Sequence, residues 1–221
     1  MMTRIQSYGA RGDILAEGEK QKSIYVVLQG WACRFKLLPN GKQQIVSILL
    51  PGDLSEPFGV TPHFIENGFS ALTPVTLARV SLEDIRNASV RDNVSTALWW
   101  DLLFTTALER QHIVSLGRRT ALERLAHLLC ELHVRLSLVG QVKEHGFEIG
   151  VTQTDIADIL GLSTVHVNRS LQDLRASGLI SQEGRWVKIL DLTGLREEAL
   201  FDPAYMHLDP EILDAIDGPA V

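Results

Sequence analysis

The chain has 221 residues, of which 45% are hydrophobic and 22% charged, with 17 glycines and 8 prolines. That is the composition of one large globular domain or two ordinary ones, and it excludes wholesale disorder and collagen-like repeats. The net charge of −6 is unevenly spread: residues 1–196 hold 21 basic and 20 acidic side chains, whereas residues 197–221 hold seven acids and no Lys or Arg. An acidic pI ordinarily counts against nucleic-acid binding, but here the acidity sits in one terminal stretch. Cys33 and Cys130 are too few and too far apart for a disulfide framework or a four-thiolate cluster. Met1–Lys20 has no apolar run of signal-peptide length, and Ala97–Leu108 is too short to span a bilayer and is broken by Asp101. The chain therefore reads as cytoplasmic, with no membrane partner.

In chain order, Gly18, Gly30, Gly41 and Gly52 punctuate a series of β-type runs, Ser23–Leu28, Trp31–Leu38, Gln44–Leu50 and Val75–Val80. Short strands at this spacing predict an antiparallel, jelly-roll-like β-roll over residues 1–90. Asn40-Gly41, following Pro39, predicts a hairpin turn because both positions tolerate φ > 0. Near Ser81 glycine and proline thin out. The SLED segment from Ser81 predicts a capping box opening a short helix. A long helix follows over residues 91–117. Val94, Leu98, Leu102, Thr105, Leu108 and His112 recur on it at three- and four-residue steps, and Trp99, Leu103 and Ala107 add a second face. A helix apolar on two sides needs two partners, here its own β domain, anchored by Trp99 and Trp100, and a second copy of itself.

Gly117-Arg118-Arg119-Thr120 reads as a hinge, with Thr120 and Glu123 as a capping box for a helix from Ala121 to Leu138. Phe147-Glu-Ile is a short strand. Thr152 caps a helix over Gln153–Leu160, with Asp155 at the capping-box spacing, and Gly161 stops it. Ser163 caps a second helix reaching Ala176, and Gly178 ends that one. Leu179-Ile180, a turn centred on Gly184, and Trp186–Leu190 complete a hairpin. Helix, tight glycine turn, helix, hairpin is a winged helix-turn-helix over residues 118–195, and residues 196–221 form an acidic tail. The tail is expected to be solvated, although Leu208–Ile216 is apolar enough to dock.

Ile156, Ala157, Leu160, Leu162, Val167, Leu171 and Leu174 supply a core for two crossing helices, and Gly161 permits the left-handed turn between them. The outer face of the second helix is left with Thr164, Val165, His166, Asn168 and Arg169. Arg169 can bond guanine in bidentate fashion, Asn168 can pair with adenine, and the methyls of Thr164 and Val165 can meet that of thymine. Thr152 and Gln153, at the start of the first helix, suit phosphate contacts, and Ser163 and Arg185 join the DNA-binding set. The pattern points to double-stranded DNA.

At this point the chain resembles the CRP/FNR transcription regulators. The resemblance runs from about Gly9 to Leu192. It is carried most specifically by TQTDIADILGLSTVHVNRSLQDLRASGLI, preceded by RRTALERLAHLLCEL, and by YVVLQGWACRFKLLPNGKQQIVSILLPGDL in the β-roll. It implies an α+β fold: an N-terminal antiparallel β-roll of cyclic-nucleotide-binding type, a long dimerisation helix and a C-terminal winged helix-turn-helix. It further implies a homodimer on a two-fold symmetric DNA site, with RNA polymerase as a further partner. The dimer seam would run along Val94, Leu98, Leu102, Thr105, Leu108, His112 and Leu116.

The departures are informative. In cAMP-responsive members a glutamate binds the ribose and an Arg-Ser pair binds the phosphate. Glu56 can mimic the glutamate, but Ile65-Glu66 stands where Arg-Ser would be, and Glu109-Arg110 falls near the adenine positions. An apolar residue and a carboxylate do not bind a phosphate anion, so cAMP is not the expected effector and no cofactor is predicted. Met1–Lys20 has no cysteine for the iron–sulfur cluster of the oxygen-sensing members. Val165 replaces a glutamate familiar in the family's recognition helix, which should change one base of the half-site while Arg169 keeps another.

Cys33 and Cys130 read as buried and inert. No two of the seven histidines have the i, i+4 spacing of a helical zinc site, so no metal site is expected. An enzyme or metal-binding cupin would need clustered His and carboxylate ligands on adjacent strands. The sequence lacks these, along with any nucleophile elbow, P-loop or paired catalytic carboxylates, so no catalytic residue is expected. A regulator without an effector, and a redox- or gas-sensing member, are the alternatives.

Overall fold

The structure is a computed structural model and describes residues 4–55, 64–88 and 92–218. The chain forms two compact units, residues 1–109 and 110–221.

In the first unit, strands β1 (Arg4–Tyr8), β2 (Asp13–Leu15), β3 (Ser23–Gln29), β4 (Ala32–Leu37), β5 (Gln43–Leu49), β6 (Gly68–Ala71) and β7 (Val75–Ser81) make two antiparallel sheets. Their orders are β1-β7-β3 and β2-β6-β4-β5. Inward positions at the period of two fill the space between them with Tyr25, Val27, Ala32, Leu49, Phe69, Ala71, Val75 and Leu77. The turn joining β4 to β5 differs in detail from expectation. Gly41 alone takes positive φ, at 80°, while its N–H donates to the Leu38 carbonyl and the Leu38 N–H donates to the Lys42 carbonyl. Pro39-Asn40-Gly41 is thus a three-residue loop closed by a left-handed glycine rather than a two-residue turn.

Helix α1 (Leu82–Ala88) starts where Ser81 Oγ accepts the Asp84 N–H at 3.0 Å, as the SLED motif requires. Leu82 and Ile85 then join Ile24 and Val80 in a second cluster, against which Leu54 and Leu98 pack. Helix α2 spans Asp92–Arg118 and passes through Gly117 and Arg118 without a break. The expected four-residue hinge is therefore one residue, Arg119, between α2 and the N-cap Thr120. The physical reason lies in the carbonyls at the end of α2, which keep partners: the Arg119 N–H donates to Ser115 O and the Arg124 side chain donates to Leu116 O at 2.8 Å.

The second unit holds the end of α2 and α3 (Ala121–Leu138), β8 (Gly146–Glu148), α4 (Gln153–Leu160), α5 (Thr164–Ala176), β9 (Ile180–Glu183), β10 (Trp186–Ile189) and α6 (Leu192–Ala199). A 3₁₀ turn, Pro203–Met206, and α7 (Pro210–Asp217) follow. Helix α3 is the spine of this unit, burying Leu125, Ala126, Leu128, Leu129, Leu132 and Leu136. The sheet order is β8-β10-β9, so the expected strand near Phe147 enlarges the wing to three strands. The acidic tail is not a solvated appendage: α6 packs on α3, with Phe201 and Met206 buried beneath the turns that follow.

Candidate nucleic-acid interface

Two helices and a turn define the site. Thr152 accepts the Asp155 N–H while Asp155 accepts the Thr152 N–H, which fixes the start of α4. Gly161 ends α4 in the left-handed region (φ 62°, ψ 37°), where a Cβ would be strained. The Leu162 N–H then returns to Ala157 O at 3.0 Å, and Ser163 starts α5 by accepting the His166 N–H. Val167, Ser170, Leu171 and Leu174 of α5 are buried, and with Ile156, Ala157 and Leu160 of α4 they make the core of the crossing. Leu162, placed in that core by the sequence, is half-buried at its edge.

Burial on one side of α5 leaves Thr164, Val165, His166, Asn168 and Arg169 exposed, Val165 by 73%. Thr164, Val165, Asn168 and Arg169 share one face. The His166 ring shares a 2.9 Å hydrogen bond with Ser163 Oγ, which engages the Ser163 hydroxyl. Gln172, one turn beyond Asn168 and two beyond Val165 and also exposed, belongs to the same face, although the sequence pattern did not single it out. The signal for it is its position at i+3 and i+4 from Arg169 and Asn168. The Thr152 hydroxyl donates to Asp155 Oδ2 at 2.8 Å, so it is engaged in the cap, whereas Gln153 and Thr154 stand exposed on the first turn of α4. Arg185 is exposed at the tip of the two-residue turn between β9 and β10, after Gly184 at φ 59°.

Arg124 links the long helix to this site. Its guanidinium donates to Leu116 O near the end of α2 (2.8 Å), Arg119 O at the junction (2.9 Å) and Leu160 O at the end of α4 (3.0 Å). A cation at two helix C-termini meets the negative ends of both dipoles.

Two residues of the apolar stripe on α2 are covered within the chain, and so is Ala107 of the second face, which is 8% exposed. Leu98 packs on the Ile24 cluster of its own unit, and Leu108 is only 8% exposed. Val94, Leu102, Thr105, His112 and Leu116 are half-buried on the same side. The residues left in solvent are Trp99 (64%), Leu103 (62%) and Ile113 (68%), with Trp100 and Val114 flanking. Trp99 and Trp100 therefore do not anchor α2 to the β-roll, although Trp100 stacks on Phe104 with centroids 4.9 Å apart. Both sides of α2 are apolar, and a 3.6-residue period alone does not say which side the strands cover.

Of the residues proposed for an effector pocket, Glu56 lies outside the described residues. Glu109 accepts a hydrogen bond from the buried Arg34 at 3.0 Å and is a structural counter-ion rather than a free ligand group, while Arg110 is exposed. Ile65 is buried and Glu66 exposed. Asp101 accepts from the Leu54 N–H, and its other oxygen is buried without a partner; burial and the nearby Asp53 push its carboxyl up to about 7, against the opposing pull of Arg34. Cys130 is buried, and the lack of solvent pushes its thiol up to about 12, as befits an inert core residue. Cys33 is also buried, beside Ser70 Oγ. Among the described residues no group of three or more His, Cys, Asp or Glu side chains converges as a metal site, and no helix is long and apolar enough to cross a membrane.

Residues 5–92 match the cyclic nucleotide-binding domain family, and residues 123–198 match the Crp-like helix-turn-helix domain family. The nitrogen fixation regulation protein FixK of Rhizobium meliloti is 30% identical over 194 residues, covering 87% of this chain and 85% of the relative. The transcriptional activator protein FnrL of Cereibacter sphaeroides is 28% identical, covering 88% of this chain and 79% of its own length. Among solved structures, FixK2 from Bradyrhizobium japonicum superimposes with a TM-score of 0.80 at 26% identity, covering 89% of this chain and 97% of that one.

Proposed function

Since this chain belongs to the CRP/FNR family of DNA-binding transcription regulators, we propose that it acts as a homodimer on a two-fold symmetric duplex site, with α5 of each protomer in the major groove. The single observation that carries the reading is the exposed face of α5, where Thr164, Val165, Asn168 and Arg169 stand together on a helix held by Gly161 and a buried core. Arg169 reads guanine, Asn168 reads adenine, and Val165 takes the place of an acidic reader and meets a thymine methyl. Gln153 and Thr154 at the start of α4, and Arg185 in the wing, bind phosphates and set the register.

The dimer seam is the exposed side of α2, through Trp99, Leu103 and Ile113. Two such helices packed side by side carry the recognition helices at a fixed separation. Binding requires that separation to match one turn of B-DNA, about 34 Å. The β-roll does not take cAMP: the position that would need a cation for the phosphate holds a buried isoleucine, and Glu109 is committed to Arg34. The β-roll sets the geometry of α2, through another effector or through its own packing alone.

The test is Arg169→Ala against the cognate duplex. A loss of about 1–3 kcal/mol with relaxed preference at one base pair of each half-site is expected. Affinity equal to that of the unaltered protein would remove Arg169 from the readout.

A further inference from the structure

The helix-turn-helix family match stops at residue 198, yet the chain continues into a segment that folds back on α3. Its first contact is with the one residue that joins the long helix to the DNA-binding elements. Arg119 donates to Ala199 O and Leu200 O, both at 3.2 Å, and to Ser115 Oγ of α2 at 3.0 Å. Ala199 ends α6 and Leu200 is its left-handed cap, so the guanidinium takes the carbonyls that a helix end leaves without intrahelical donors.

Further along, aromatic and charged contacts repeat the attachment. The His127 ring of α3 lies edge-on to Phe201 and stacks on Tyr205, with centroids 5.1 and 6.1 Å away. Tyr205 donates its hydroxyl to Glu131, which also holds Arg135. The end of α7 is tied by a bidentate pair, Arg196 to Asp217, with both bonds at 2.6 Å.

We propose that residues 199–217 are a strap that positions the helix-turn-helix, acting through Arg119 at the α2–α3 junction. The chain of bonds is continuous: strap carbonyls to the Arg119 side chain, the Arg119 carbonyl to Arg124, and Arg124 to the last residue of α4. Rotation of α3 and α4 about the junction works against the bonds that cross it, those of Arg119 to the strap carbonyls and of Arg124 to Leu116 O and Arg119 O, while the Arg124–Leu160 bond moves with the two helices. The strap does not mask the interface, because the outer face of α5 stays exposed with the strap docked. Its role is therefore alignment rather than occlusion. Arg119 and Tyr205 act here as positioning residues, through their bonds to Ala199 O, Leu200 O and Ser115 and to Glu131.

This inference rests on the two-fold DNA reading above, and its test separates the two. Affinity is measured by fluorescence anisotropy for the selected palindromic duplex and for a duplex bearing one half-site, at a salt concentration low enough for both to register. The full-length protein is compared with Arg119→Ala, Arg119→Lys and Tyr205→Ala, with hydrogen exchange over residues 199–217 reporting whether the strap is docked. Arg119→Ala and Tyr205→Ala are expected to weaken palindrome binding tenfold or more while half-site binding changes less than threefold. Arg119→Lys is expected to recover part of the loss. Equal losses on the two duplexes would show ordinary structural damage and overturn the proposal. Unchanged palindrome binding with the strap undocked would also overturn it, and so would a gain in affinity, which would make the strap inhibitory. Failure of the unaltered protein to prefer the palindrome would instead refute the underlying two-fold reading.

Discussion

Acidification is expected to weaken the DNA-binding unit through the histidines of α3. His127 is buried against Phe201 and Tyr205; burial first, then Arg119 and His112, lowers its pKa to about 3. His133 is fully buried beside His145, and burial, that neighbour and Arg196 lower its pKa to about 4, with Asp217 opposing. Both rings are neutral in the folded unit at pH 7. A depressed folded pKa means the unfolded chain binds protons first, so this stability is present above the unfolded pKa of about 6.5 and is lost as pH falls toward the folded values. Each pH unit below about 6.5 costs about 1.4 kcal/mol per ring. From pH 7 to 5 that is about 2 kcal/mol each and about 4 kcal/mol together, a large share of the 5–15 kcal/mol of a typical domain. The assay is hydrogen exchange of the α3 amides between Leu125 and Leu136, corrected for intrinsic rates, at the two pH values. The double variant His127→Gln, His133→Gln should lose about 4 kcal/mol less than the unaltered protein over that interval. An equal loss in both would refute the assignment of acid sensitivity to these rings.

Asp101 runs the other way. Its raised pKa gives stability that is present below the ordinary carboxylate range and is lost as pH rises toward 7; Asp101→Asn should therefore raise the melting temperature of the first unit at pH 8 and leave it unchanged at pH 4. Replacing Ile113 or Leu103 with Glu should yield a folded monomer by sedimentation, because both side chains are in solvent within one chain, whereas Leu98→Glu should instead destabilise the β-roll it packs against. Gly161→Ala places a Cβ at φ 62° and should cost about 1–2 kcal/mol by urea unfolding.

Much of the second unit is legible in the sequence because its signals are local. The Thr120–Glu123 and Thr152–Asp155 boxes and the Ser163 cap all fall where the structure starts a helix, and Gly161 takes the left-handed turn assigned to it. The exposed α5 face follows from the same periodicity. What failed depends on distant partners. The two apolar sides of α2 are indistinguishable until the Ile24–Val80 cluster is known to cover Leu98. Gly117 and Arg118 read as a hinge because the Arg124 bond to Leu116 O comes from the next helix. Strands β1, β2 and β6 went unread: β1 and β2 have no buried residue, and β6 is only four residues long. The tail read as solvated because charge alone does not announce that Phe201 and Met206 are buried or that Arg119 caps α6.

The central claim is that two copies of α5, carried at a fixed separation, read a symmetric duplex. The most direct test is selection from a random duplex library by the purified protein with no effector added, followed by affinity at two salt concentrations for the selected sequence and for Arg169→Ala. The account predicts a palindrome with half-sites about one helical turn apart, bound more weakly by the variant. Sequence-blind, salt-sensitive binding alone, equal for both proteins, would contradict it.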